Sequence, residues 1–266
     1  MPLISAHRAA DISSAGLTTA SFNGTAITYD DIGNPLRYYN GSSYTFGWEG
    51  RRLVSALTSG KSMSFTYNEE GLRVTKTVNG ETTHFIYDGS LLIAEYNNSA
   101  IIVYIYDAAG SPIGFKVKSL NTSFDVWNVF WYDKNLQGDV VAVYNSAGTK
   151  LVSYTYNAWG IPTTSILDIH NMQEGVLANS SNILYRGYYY DSDLGMYYLQ
   201  SRYYDANIGR FISSDGAIGQ IGNVQGANMF AYCFNNPMNM SDPTGNWPKL
   251  STMLTLQECR VLRIFI

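Results

Sequence analysis

A five-residue pattern constrains this chain more than any other feature: an aromatic, then Asp or Asn, two free positions and Gly. It reads YDDIG at Tyr29–Gly33, YNEEG at Tyr67–Gly71, YDAAG at Tyr106–Gly110, YNSAG at Tyr144–Gly148 and YNAWG at Tyr156–Gly160. Looser forms are FGWEG at Phe46–Gly50, YDG at Tyr87–Gly89, YDSDLG at Tyr190–Gly195 and YDANIG at Tyr204–Gly209. Over the first half the leading aromatics stand at 29, 46, 67, 87 and 106, with gaps of 17, 21, 20 and 19 residues. A near-constant spacing of this size marks a repeat array, in which each unit buries its apolar face only by stacking on its neighbours.

Each unit has a mechanical reading. Tyr ends a strand, the Asp or Asn side chain folds back onto backbone N–H groups two residues on, and Gly takes the positive φ that the turn requires. Between turns the residues mostly alternate: Met63, Phe65 and Tyr67, then Leu72, Val74 and Thr77, give mostly period-two patterns. Asn79-Gly80 is a two-residue hairpin signal between two such strands. A single hairpin is marginal in water, so the units must pair laterally into one continuous sheet.

The composition agrees with an all-β fold with few helices. The chain has 22 tyrosines, 24 glycines and only 14% charged residues, against about 25% charged in ordinary globular domains. Tyr suits a pleated, half-buried surface because its ring is apolar and its tip polar. Residues 1–17 read as an N-terminal extension, 18–184 as the hairpin array, 185–245 as a denser ending and 246–266 as a short tail. Within the array, Asp168–Asn182 breaks the pattern with small and polar residues and reads as an exposed loop with one short helical turn.

Several function classes become improbable on this text. A net charge of -4 lacks the basic footprint that nucleic acid or an anionic membrane needs, so neither is an expected partner. No apolar run reaches the ~18 residues of a membrane span, and the first residues lack the basic start and apolar core of a signal peptide. Cys233 and Cys259 stand apart, and His7, His84 and His170 are scattered, so neither a metal nor any other cofactor is expected. Cys233 has no neighbouring His to activate it and reads as buried.

From Tyr185 the text becomes specific: YYLQSRYYD at Tyr197–Asp205, GRFISSD at Gly209–Asp215, NMFAYCFNNP at Asn228–Pro237 and DPTG at Asp242–Gly245, in that order. This combination resembles the core segment of the Rhs/YD-repeat family, which includes bacterial polymorphic toxins, the C component of Tc toxins and the teneurins. The resemblance covers roughly residues 20–245. It implies a spiralling β-shell whose wall is built of YD repeats and whose core segment closes one end, in an exported or surface protein. It also implies an enclosed or adjoining polypeptide after the core. Family shells generally hold more than nine repeats, which points to a piece of a longer protein or of an assembly. The open sheet edges of such a piece are expected to favour self-association.

The same resemblance implies candidate chemistry at Asp215 and Asp242, 27 positions apart. In the family, two aspartates at such motifs are implicated in self-cleavage just after the DPxG motif, which places the cut here after Asn246. Two carboxylates held close cannot both ionise freely, so one can polarise the carbonyl while the other activates water. Arg210, or Arg202, could position a carboxylate by a two-pronged hydrogen bond. This sequence departs from the family pattern, with Gly216 after Asp215 and Asn246 where Leu is usual. The competing reading makes both aspartates turn caps, Asp215 over Gly216 to Ile218. A third reading, repeat aromatics as a sugar-binding surface, is opposed by their regular place beside the turn glycines.

Overall fold

The computed structural model describes residues 20–121, 126–167, 172–216 and 228–250. Calls on residues 1–19, on 168–171, on Cys259 and on the tail beyond Leu250 lie outside the described residues. Fifteen strands, from β1 (Ala20–Phe22) to β15 (Pro162–Ile166), form one antiparallel sheet in strict sequence order. The array is a meander of hairpins, and nearly every contact within it is between neighbours in the chain.

The turns are built as the repeat predicts. At Asp30, Asp107, Asn145 and Asn157 the side-chain Oδ1 accepts the N–H groups two and four residues on, while the N–H of the turn Gly bonds back to the backbone carbonyl of that residue. Asn135 builds the same turn with Gln137, Gly138 and Asp139. The sequence reading missed it because Lys134, not an aromatic, precedes it. Between β7 (Arg73–Val78) and β8 (Glu81–Asp88), Asn79 and Gly80 take φ of 50° and 93°, the two positive values of a tight hairpin turn.

The leading aromatic has a second task. The hydroxyls of Tyr67, Tyr87, Tyr106 and Tyr156 donate to the backbone carbonyls of Leu53, Arg73, Leu92 and Val140, 14 to 16 residues upstream. Each ring therefore buries its body and ties its tip to the preceding strands. Three of them also mark pairing irregularities: the ladder shifts register at Tyr67, Tyr87 and Tyr106, as it does at Tyr29, Trp48 and Tyr144. Extra residues of this kind bend and twist a strand, and their recurrence at one end of the hairpins curls the sheet.

The covered face of the sheet holds Phe46, Met63, Phe65, Phe85, Phe115, Phe130 and their neighbours, in one cluster with the core segment. In β7 the apolar residues do not mark the buried positions. Arg73 and Lys76 are buried while Val74 and Thr77 are half-buried. Hydrophobic alternation fails there because the core segment supplies carboxylates for both cations.

Residues Met172–Ala178 form a short helix, α1, that lies against β13 (Val140–Asn145), β14 (Lys150–Tyr156) and β15. The short helical turn expected in this stretch is present as this helix; its packing against the sheet corrects the exposed-loop part of the reading. Gly175 and Ala178 are small enough to be buried against the sheet, and Glu174 and Asn179 bond to Asn145 and Tyr154.

The core segment forms a separate four-stranded sheet: β16 (Tyr189–Asp191), β17 (Met196–Leu199), β18 (Arg202–Asp205) and β19 (Arg210–Phe211). Every residue of β17 and β18 is buried. A last pair joins β20 (Met240–Ser241) to β21 (Lys249–Leu250). No helix among the described residues is long and apolar enough to cross a membrane.

Candidate functional site

Arg202 opens β18, and its guanidinium lies over the ring of Phe211 in the adjacent strand, 3.7 Å from the centroid. Each end of that guanidinium is engaged. Nε donates to the Gly245 carbonyl, Nη1 to the Met229 carbonyl at 3.1 Å, and Nη2 sits 2.9 Å from Asp215 Oδ2. The same Nη2 is 3.9 Å from Asp242 Oδ2. The two carboxylate oxygens can be no farther apart than those distances laid end to end, inside the ~8 Å that one bridging water or modest motion could close. Chain segments 27 positions apart thus meet at one arginine.

Asp242 is fully buried. Its Oδ1 accepts the N–H groups of Asn246 and Trp247, both at 3.2 Å, and its own N–H donates to the Tyr188 hydroxyl at 2.7 Å. Its Oδ2 has no hydrogen bond. Burial pushes the Asp242 carboxyl above its usual range, opposed by Arg202 and by the backbone N–H groups. Burial also pushes the Arg202 guanidinium down, against the pull of Asp215 and then Asp242.

Asp242 therefore caps the DPTG turn and touches the nitrogen of the bond expected to break. Asp215 donates its N–H to the Met229 carbonyl and directs its carboxylate to Arg202. The cap proposed for it over Ala217 and Ile218 lies outside the described residues. Arg202 makes its carboxylate contacts through a single nitrogen, not as a two-pronged pair. Arg210 belongs to β19, its backbone paired with Asp205 and Ala231, and no ion pair joins it to either aspartate among the described residues.

Cys233 is buried and unpaired, and burial pushes its thiol up to about 12, which leaves no thiolate for chemistry. Tyr67, Tyr87, Tyr106 and Tyr156 are packed on the core and bonded to backbone carbonyls, which opposes a sugar-binding role for these four.

Sequence reasoning missed the most buried charges. Arg73 Nη1 pairs with Asp191 at 2.6 Å, and Lys76 bridges Asp191 and Asp193, both at 2.9 Å. The Arg73 guanidinium is surrounded by the rings of Phe65, Phe85, Tyr189, Tyr198 and Tyr203, within 4.6 to 5.9 Å of their centroids. No spacing in the sequence marks the two cations, because positions three apart fall on opposite faces of a regular strand. These groups hold the core segment onto the wall.

A curled meander of tyrosine-tied hairpins, closed by a core sheet that gathers an arginine, two aspartates and the DPTG turn, defines a YD-repeat β-shell. The chain belongs to the Rhs/YD-repeat family. It is 33% identical over 233 residues to the tRNA3(Ser)-specific nuclease WapA of Bacillus spizizenii, which takes in 85% of this chain and 9% of that protein. It is 26% identical over 247 residues to double-stranded DNA deaminase toxin A of Burkholderia cenocepacia, covering 82% of this chain and 16% of that protein. Among solved structures it is similar to TcdB2-TccC3-Cdc42, with a TM-score of 0.63 at 22% identity over 82% of this chain and 11% of that one. It is also similar to a Photorhabdus luminescens Tc holotoxin pore, with a TM-score of 0.65 at 20% identity over 84% of this chain and 11% of that one. Likeness at such identity concerns the fold. No family model matches the chain. The chain thus spans about a tenth of the WapA relatives' length, and it is a toxin-related Rhs segment.

Proposed function

We propose that this chain is part of the wall and closing end of an exported toxin shell, and that it encloses or presents the polypeptide that follows the core. The observation that carries this reading is the seating of the exit point. Asp242 and Arg202 grip Gly245, Asn246 and Trp247 where the chain leaves the core sheet. In the sheet, β1 and β15 each pair on one side only among the described residues, and these edges are where further repeats or a second copy would add. Trypsin provides a test, since Arg260 and Arg263 lie in the tail. Enclosure predicts that they are cut far more slowly in the folded chain than in urea. Equal rates would sink it for this chain alone.

The convergence of Asp215 and Asp242 favours a second reading, self-cleavage between Asn246 and Trp247. Water adds its hydroxyl to the Asn246 carbonyl carbon and a proton reaches the Trp247 nitrogen as the C–N bond breaks. Asp242 stands at that nitrogen, and its high affinity for a proton suits it to protonate the leaving amine. Asp215, held by Arg202, is the base for water. Mass spectrometry of the purified chain decides. One species near 29.6 kDa means a scaffold only. Loss of the segment beginning at Trp247, abolished by Asp215→Asn, means an autoprotease.

A further inference from the structure

Beside this site lies a cavity of about 240 Å³ whose wall includes Arg51, Arg52, Arg202, Glu70 and Asn246. Three arginines face one carboxylate there. Arg202 is saturated, as described above. Arg51 is not: its Nη1 bonds the Ile32 and Ser214 carbonyls and the Ser214 hydroxyl, at 3.1, 3.0 and 2.5 Å. Those bonds fix the guanidinium and leave its remaining N–H groups without a carboxylate. The Arg52 guanidinium lies over Gly71, at the same cavity. Neither Arg51 nor Arg52 forms an ion pair with a described residue. An anchored arginine with spare donors, next to a second one, at a partly enclosed cavity whose other walls are largely apolar (Trp48, Leu53, Leu72), is a fork for a carboxylate.

We infer that this cavity is a carboxylate site, and that its own ligand is the α-carboxylate that Asn246 acquires when its bond to Trp247 is cut. This rests on the self-cleavage reading for the source of the ligand, though not for the existence of the site. Asn246 already lines the cavity, so the new terminus needs no long journey. Binding there would draw the product carboxylate away from the Trp247 amine. It would also seat the cut end in the wall.

The test uses the full chain and small probes, read by melting temperature: N-acetylasparagine, its C-terminal amide, and inorganic phosphate. The free acid is expected to raise the midpoint by about 2 °C or more at saturating concentration. The amide should have no effect. Arg52→Gln, at an exposed position, should abolish the rise. Arg51→Gln should do the same, but because Arg51 also holds Ser214, Arg52→Gln is the decisive variant. A rise with phosphate alone would make this a site for free inorganic anions and overturn the assignment to the chain's own end. Equal effects of acid and amide, no effect of any probe, or a rise that survives Arg52→Gln would overturn the site. Whether the chain cuts itself is read separately, from its mass without ligand.

Discussion

The wall and the core segment use the same letters for opposite purposes. In the wall, Asp30, Asp107 and the corresponding asparagines spend their side chains on their own turns. In the core segment, Asp191 and Asp205 also close turns through their backbone carbonyls, yet their carboxylates reach across to the wall. Asp191 holds Arg73 and Lys76, while Asp205 accepts from Tyr38 at 2.9 Å and Asn40 at 2.7 Å. The wall is thus locally determined, hairpin by hairpin. The core segment is determined by partners more than a hundred positions away. An aspartate at a solvent turn is hydrated and replaceable; an aspartate under the sheet is safe only while its cation is present.

That contrast is broken most severely at the buried ion pair. Asp191→Ala strands the Arg73 guanidinium and leaves Lys76 with Asp193 alone, and a loss of about 3–5 kcal/mol is expected in denaturant titration. Asp107→Ala, in a wall turn, should cost about 1 kcal/mol or less. Equal losses would erase the distinction.

Acid offers a related measurement. Burial alone would raise the Asp191 carboxyl, but Lys76 and Arg73 outweigh it and hold the group at about 2. Its unfolded value is about 4. The stability it contributes is therefore complete above pH ~4 and is lost as pH falls toward 2. Asp205 and Asp242, raised by burial, act in the opposite sense and above that window. The steep loss between pH 4 and 2 should flatten in Asp191→Asn.

Glycine turns sharpen the comparison within the wall itself. Gly160 has φ of 93°, and a Cβ there would lie 2.6 Å from the Tyr185 ring of the core segment; Gly148, at φ of 78°, has nothing within 4 Å. Gly148→Ala meets only the backbone penalty, about 1 kcal/mol. Gly160→Ala adds a steric clash with a buried ring and should cost about 1–3 kcal/mol more. Similar melting temperatures for the two would show that the core does not press on the turns.

A comparably small effect is expected of a single wall hydroxyl. Tyr106→Phe keeps the ring and removes the bond to the Leu92 carbonyl, for about 1 kcal/mol. Tyr188→Phe, by contrast, deprives the buried Asp242 N–H of its acceptor and should cost up to about 3 kcal/mol.

The order of the fifteen strands, the turn chemistry and the hairpin at Asn79-Gly80 were legible in the sequence, because each depends on residues within a few positions of one another. The two motifs carrying Asp215 and Asp242 were legible as well, as was the burial of Cys233. The partners were not. Arg73 and Lys76 carried no signal, because period-two patterning counts apolar residues and cannot tell which strand will later find a carboxylate beneath it. The short helical turn in Asp168–Asn182 was legible and stands as Met172–Ala178, but its packing on the sheet was not, since that burial comes from the sheet and not from its own pattern. Arg210, with Arg202 as the alternative, is the arginine the sequence puts forward, and the packing of β18 and β19 instead brought Arg202 to the aspartates. Local backbone chemistry is written residue by residue, whereas a buried charge is defined by what the rest of the chain brings within 3 or 4 Å of it, a distance set by tertiary packing.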